Sequence, residues 1–146
     1  MKESALVNLI EQWVDASNAK DMDHLQSLHS KDVVFYQGPS EVALKGWDYV
    51  RDRAQVFWTA FPDYRIKIND LHVDGNIVIM EFNATGTHTG QLLGYGPSGN
   101  KLDFDSCLVF RISRGKIVNY TTYVDMATVL HALGLIEIKG ARPEAA

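Results

Sequence analysis

Among the side chains able to carry chemistry, His88 stands out, because imidazole gives and takes protons near neutrality. It continues the alternation Val78, Met80, Phe82, Ala84 and so shares the parity of an apolar strand face. Buried there, it would tend to lose its charge and act as a base or a neutral donor. A second reading stays open, in which the ring bonds a backbone group where the strand breaks into a glycine-rich loop. Tyr120 could donate to a substrate carbonyl as an oxyanion stabiliser, or be a core tyrosine. Ser106 and Thr122 could orient a ligand oxygen or simply fill a strand, and Tyr36 carries the same ambiguity. Of the carboxylates, Asp103 and Asp105 lie on the parity opposite Phe104 and Ser106, so they are expected outward unless a bulge after Gly99 shifts the register. Asp125 follows the last strand and is either a helix cap for Thr128 or a catalytic acid. The candidate catalytic set is therefore His88, Tyr120, Asp125 and Asp105.

Other chemistries find less support. His24 and His29 fall on different faces of or beside a short helix, and His72 and His131 are isolated in sequence, so no metal site is expected. Gly94-Tyr-Gly96-Pro-Ser-Gly99 has the glycines of a phosphate loop but leads into a strand, which makes it a loop or a lid. Cys107 has no cationic sequence neighbour to activate it, and a lone cysteine precludes an internal disulfide. No cofactor is expected. The 146-residue chain has a net charge of −4 and no basic run, which argues against nucleic acid. No apolar stretch approaches the roughly 20 residues of a membrane span, and a cytoplasmic setting is expected.

Positioning these groups requires a particular order of elements. Apolar residues from Ser4 to Ala19 recur at helical spacing; Asp21 caps a second short helix over Met22–Leu28; Trp47–Ala60 forms a third, stopped by Pro62. Asp32–Tyr36 reads as a strand ended by Gly38, Pro39 and Ser40. Beyond Pro62 the period changes from about 3.6 to 2. Strands are expected through Tyr64–Val73, from Val78 to His88, over Lys101–Ile112 and over Lys116–Val124, with turns at Asp74-Gly75 and Ser113–Gly115. A terminal helix, Met126–Leu133, follows Asp125. The pattern is α+β: helices, then a curved antiparallel sheet folded over the long helix to form a cone. It makes one domain over 1–138, with a flexible tail over 139–146.

The run Ala84-Thr-Gly-Thr-His88-Thr-Gly-Gln-Leu-Leu-Gly94, the Pro-Ser-Gly turn, Val109-Phe-Arg-Ile-Ser-Arg-Gly-Lys-Ile117 and Val129-Leu-His-Ala-Leu-Gly134 together resemble the SnoaL-like polyketide cyclases. These belong to the nuclear transport factor 2-like superfamily. The resemblance spans nearly the whole chain and implies a cone of sheet closed by helices, with an apolar pocket where acid/base chemistry acts on a hydrophobic ligand. It also implies an aspartate on the last strand and a histidine on the strand before it. Counted from the Gly-Lys-Ile turn, those positions are Thr122 and Leu108, neither of which can transfer a proton near neutral pH.

Strand parity, anchored on Thr122, turns Val118, Tyr120, Phe104, Ser106, Leu108, Phe110, Phe82 and Ala84 inward, with either Tyr36 or Phe35 from the first strand. Phe57 and Trp58 on the third helix could roof the cavity. The expected function is a cofactor-independent cyclase, isomerase, dehydratase or hydrolase acting on a hydrophobic cyclic or polyketide-like molecule. The alternative is a binding or dimerisation domain that has lost the acid/base pair. In this superfamily the outer sheet face commonly packs a second copy. Ile77, Ile79, Val109, Ile117 and Tyr123 there point to a homodimer.

Overall fold

The computed structural model describes residues 1–38 and 42–140. Pro39 and Ser40, and the expected tail from residue 141 onward, lie outside the described residues. The chain runs α1 (Glu3–Ala19), α2 (Met22–Leu28), β1 (His29–Tyr36), β2 (Leu44–Lys45), α3 (Trp47–Ala60), β3 (Arg65–Asp74), β4 (Ile77–Thr87), β5 (Lys101–Ser113), β6 (Lys116–Tyr123) and α4 (Met126–Ala132). No helix among the described residues is long and apolar enough to cross a membrane.

Six strands form one open sheet in the order β2-β1-β6-β5-β4-β3. The expected antiparallel sheet is in fact mixed, since β1 pairs in parallel with β6. Parallel neighbours need a crossover, and here everything from β2 to β5 separates them. β1 also begins at His29, earlier than the apolar run Val33–Tyr36 suggests. Its burial alternates so that Val33 and Phe35 face the core while Tyr36 does not.

Two extra residues set which side chains look inward. In β3, Ile68 pairs with Phe82 but Asp70 pairs with Glu81, so Asn69 is a bulge. Leu71 and Val73 thereby return to the core face, while Asp70 and His72 go outward. In β6, Asn119 pairs with Arg111 and Ile117 with Ile112, leaving Val118 as the extra residue. Ile117 is consequently fully buried and not part of the outer face, which corrects the expectation from simple alternation. Ile77, Ile79 and Val109 remain half-buried on that face and Tyr123 is exposed.

The helices pack on the inner face. Leu6, Leu9, Ile10, Trp13 and Val14 of α1 join Val78, Met80, Phe82 and Phe110 in the main core. The Asn18 amide pins α1 to β3 by donating to the Ile66 carbonyl and accepting from its N–H, both at 2.8 Å. A second cluster gathers Ala60 and Phe61 at the end of α3, Leu92 of the long loop, Leu102 of β5, and Val129 and Leu133 at α4. At Gly90 the loop meets the end of α3 so closely that a Cβ would lie 2.0 Å from the Thr59 carbonyl oxygen. Thr89 and Gly90 both donate to the Ala60 carbonyl at 3.1 Å. The loop expected as a lid is thus fastened at its base.

Candidate functional site

Between α1, α3 and the inner sheet face lies a cavity of about 120 Å³ that opens to solvent. Its sheet wall comes from Phe82, Phe104, Ser106, Leu108, Tyr120 and Thr122, and Phe57 and Trp58 of α3 also line it. These are the inward positions that parity selects. Tyr36 lies on the other face of β1, and Phe35 lines the cavity instead.

Tyr120 is held by rings on several sides: Phe35 at 4.8 Å between centroids, Phe110 at 5.6 Å, His29 at 5.8 Å and Trp13 at 6.4 Å. Such packing fixes the ring without specifying what its hydroxyl meets. Burial drives the Tyr120 hydroxyl well above its ordinary pKa, with Arg53 pulling weakly the other way. Tyr64 is pushed up to about 12 for the same two reasons. Both therefore stay protonated near neutrality and act as donors.

Alternation along the strands does not reveal Arg53, which lines the same cavity from α3. It stands three residues after Val50 and four before Phe57, within the apolar stripe of the helix, and that spacing was the available signal. Its guanidinium lies 4.4 Å from the Phe57 ring centroid. Burial lowers its pKa, opposed by Tyr120 and Tyr64. Arg51, two residues earlier, bonds Asp48 at 3.0 Å and Asp52 at 3.1 Å. Arg53 forms no ion pair among the described residues.

Two further polar atoms add to this inventory. The indole N–H of Trp13 and the hydroxyl of Thr122 are buried without a hydrogen-bond partner, and both residues line the cavity. Unpaired buried polar atoms are uncommon and call for a water or a ligand atom. No carboxylate and no imidazole is among the described lining residues.

The other candidate residues lie elsewhere. His88 is fully buried against Phe61, with ring centroids 5.5 Å apart, and does not line the cavity. Its Nδ1 accepts from the Ser98 N–H at 3.2 Å and lies 2.9 Å from the Ser98 hydroxyl, while Nε2 has no partner. Its backbone closes the loop as well, donating to Asn100 and accepting from Gly99. This geometry is that of a group tying the loop base together, because the ring packs on Phe61 and bonds Ser98 while its backbone bonds Gly99 and Asn100. Asp105 is exposed and, with Asp103, accepts from the Asn83 amide at 3.1 and 2.8 Å. Both point outward because β5 keeps its register against β4 without a bulge. Asp125 is also exposed. It caps α4 by accepting from the Thr128 N–H at 3.1 Å and hydroxyl at 2.6 Å, bonds that hold its carboxyl below the usual range.

His72 is isolated only in sequence. The bulge at Asn69 places Asp70 and His72 beside Glu81, and the possible ligand atoms of all three lie within 4.8 Å of one another. His72 Nε2 is 3.0 Å from Glu81 and 3.5 Å from Asp70, and the Glu81 carboxylate and then Asp70 raise its pKa. The trio is solvent-exposed on the outer face, which is what ion pairing alone requires.

Comparison with known proteins supports the family at the level of sequence and the fold at the level of structure. The SnoaL-like polyketide cyclase family matches residues 7–133. No curated protein matches the chain significantly. A structure described as a SnoaL-like polyketide cyclase from Jannaschia Sp. CCS1 superposes with a TM-score of 0.85 at 21% identity, covering 92% of this chain and 95% of that one. AclR from Streptomyces galilaeus, described as a hydroxylase, gives 0.84 at 22% identity, covering 98% and 87%. An LEH-like epoxide hydrolase from M. tuberculosis gives 0.70 at 18% identity, covering 89% and 90%. Named activities so different on one backbone leave the chemistry to be argued from the cavity. The match over residues 7–133 and the shared architecture make this chain a member of the SnoaL-like polyketide cyclase family.

Proposed function

We propose that the chain binds a hydrophobic, ring-containing small molecule in the cavity and promotes its cyclisation or isomerisation by stabilising negative charge on a substrate oxygen. The observation that carries this reading is the group of hydrogen-bond donors gathered in the lining. Arg53 and the Trp13 indole can only donate, and the Tyr64 and Tyr120 hydroxyls stay protonated. Such groups suit a carbonyl oxygen that becomes an enolate or alkoxide, and they act most strongly where water is scarce. As the carbonyl is polarised, the proton on the adjacent carbon leaves to water at the open mouth. Among the described lining residues there is no carboxylate to take it. A substrate whose C–H is already acidified by two flanking carbonyls, as in polyketide-like molecules, fits that division of labour.

The second reading, a binding domain without turnover, is favoured by Leu108 and Thr122 at the acid/base positions. Deuterium uptake separates the two. Aromatic 1,3-diketones incubated with the protein in heavy water are expected to exchange faster than in buffer. Tyr120→Phe should slow that exchange on the order of 10-fold or more. Binding of the diketones without any accelerated exchange would sink the catalytic reading and leave the binding one.

A further inference from the structure

Arg53 raises a question that a neutral carbonyl does not answer. Arg53 is half-buried in the cavity wall, and since a guanidinium does not shed its charge by deprotonating as a lysine can, the part of it withdrawn from water is best compensated by an anion or by strong dipoles. The described lining offers no anion. Tyr64, Tyr120 and Trp13 are donors, and the remaining walls are mostly rings and aliphatics. The nearby acids of α3, Asp48 and Asp52, are already engaged by Arg51 on the exposed side of the helix. The Arg53 Cζ lies 4.4 Å from the Phe57 ring centroid, and its N–H groups bond no partner among the described residues, which leaves them for a planar, two-oxygen ligand.

We propose that the physiological ligand is an aromatic or alicyclic carboxylate, whose acid group is held by Arg53 while its ring packs among Phe57, Trp58, Phe82 and Phe104. This inference rests on the reading that the cavity is the binding site. The absence of carboxylates from the described lining removes the repulsion such a ligand would otherwise meet. The chain's net charge of −4 also means that an anion is drawn in by this local group and not by the overall field.

Paired probes of equal shape test it: 2-naphthoate, its methyl ester and 2-naphthamide, titrated by calorimetry or by quenching of tryptophan fluorescence. The carboxylate is expected to bind at least about tenfold more tightly than either neutral analogue. In Arg53→Met the acid-to-ester affinity ratio should collapse to about one. In Arg53→Lys, which keeps the charge but not the two-pronged geometry, it should be intermediate. Melting curves confirm that both variants fold, and Arg53→Gln replaces the methionine variant if that one does not. An ester that binds the wild type as tightly as the acid overturns the carboxylate inference while leaving the cavity reading intact. Failure of all three probes to bind at millimolar concentration overturns both.

Discussion

Leu108 and Thr122 face each other directly across the β5–β6 ladder, and both line the cavity. The family resemblance implies a histidine and an aspartate at these two places, which would put an acid and a base side by side. Here an isobutyl group meets a hydroxyl whose oxygen is buried without a partner. Because an unsatisfied buried polar atom costs free energy, Thr122→Val is expected to raise the unfolding free energy by about 1 kcal/mol in the ligand-free protein. Urea denaturation measures this directly. No gain would mean that a bound water already satisfies the hydroxyl.

His88 offers a contrasting expectation. Its ring fills space between Phe61 and the loop and accepts from Ser98, so His88→Ala should leave a hole and free the loop base, at a cost of about 2 kcal/mol. A clear drop in melting temperature is the expected result. An unchanged melting curve accompanied by lost turnover would restore the catalytic reading that the sequence leaves open.

His29 makes stability depend on pH. Burial lowers its pKa from 6.5 to about 4, partly offset by its bond to the Leu25 carbonyl. The unfolded chain therefore takes up this proton first, so the contribution is fully present above about pH 6.5 and is drained as pH falls toward 4. The loss is expected to reach about 3 kcal/mol at pH 4. Denaturation between pH 7 and pH 4 should show it, and His29→Phe should flatten the slope whatever its effect at neutral pH. A wild-type slope unaffected by that substitution would assign the pH response to other groups.

Self-association through the outer sheet face is the remaining expectation, now resting on Ile77, Ile79, Val109 and Tyr123. Sedimentation at low micromolar concentration should give a dimer, and Tyr123→Glu should dissociate it. A wild-type monomer under these conditions would count against it.

Alternation was informative wherever a strand was regular. β4 and β5 pair without a shift, and their inward sets, including Phe82, Phe104, Ser106 and Leu108, follow from the sequence alone. It failed where an extra residue interrupts the period, as with Ile117, because a bulge leaves no compositional mark. The parallel partnership of β1 and β6 was equally hidden, since it depends on how the sheet closes over the helices and not on either strand. Arg53 is hidden in the sequence for another reason: a charged residue inside an apolar helical stripe normally belongs to the solvent edge, and only the packed structure shows it lining a cavity. His88 keeps the parity of the inward set yet does not line the cavity, because the strand ends at Thr87 and the ring packs on Phe61 and bonds Ser98.

The extra residues Asn69 and Val118 have an evolutionary corollary. Removing either one would leave its neighbours alternating as before, each side chain still on its own face. Removing any other interior residue of β3 or β6 would instead exchange wall and surface over part of the strand. Length can thus change harmlessly at these two addresses, and because bulges bend the strands that carry them, a deletion there would flatten the wall and reshape the cavity without altering a single lining side chain. The shape of the cavity can thus shift by loss of one residue that does not line it.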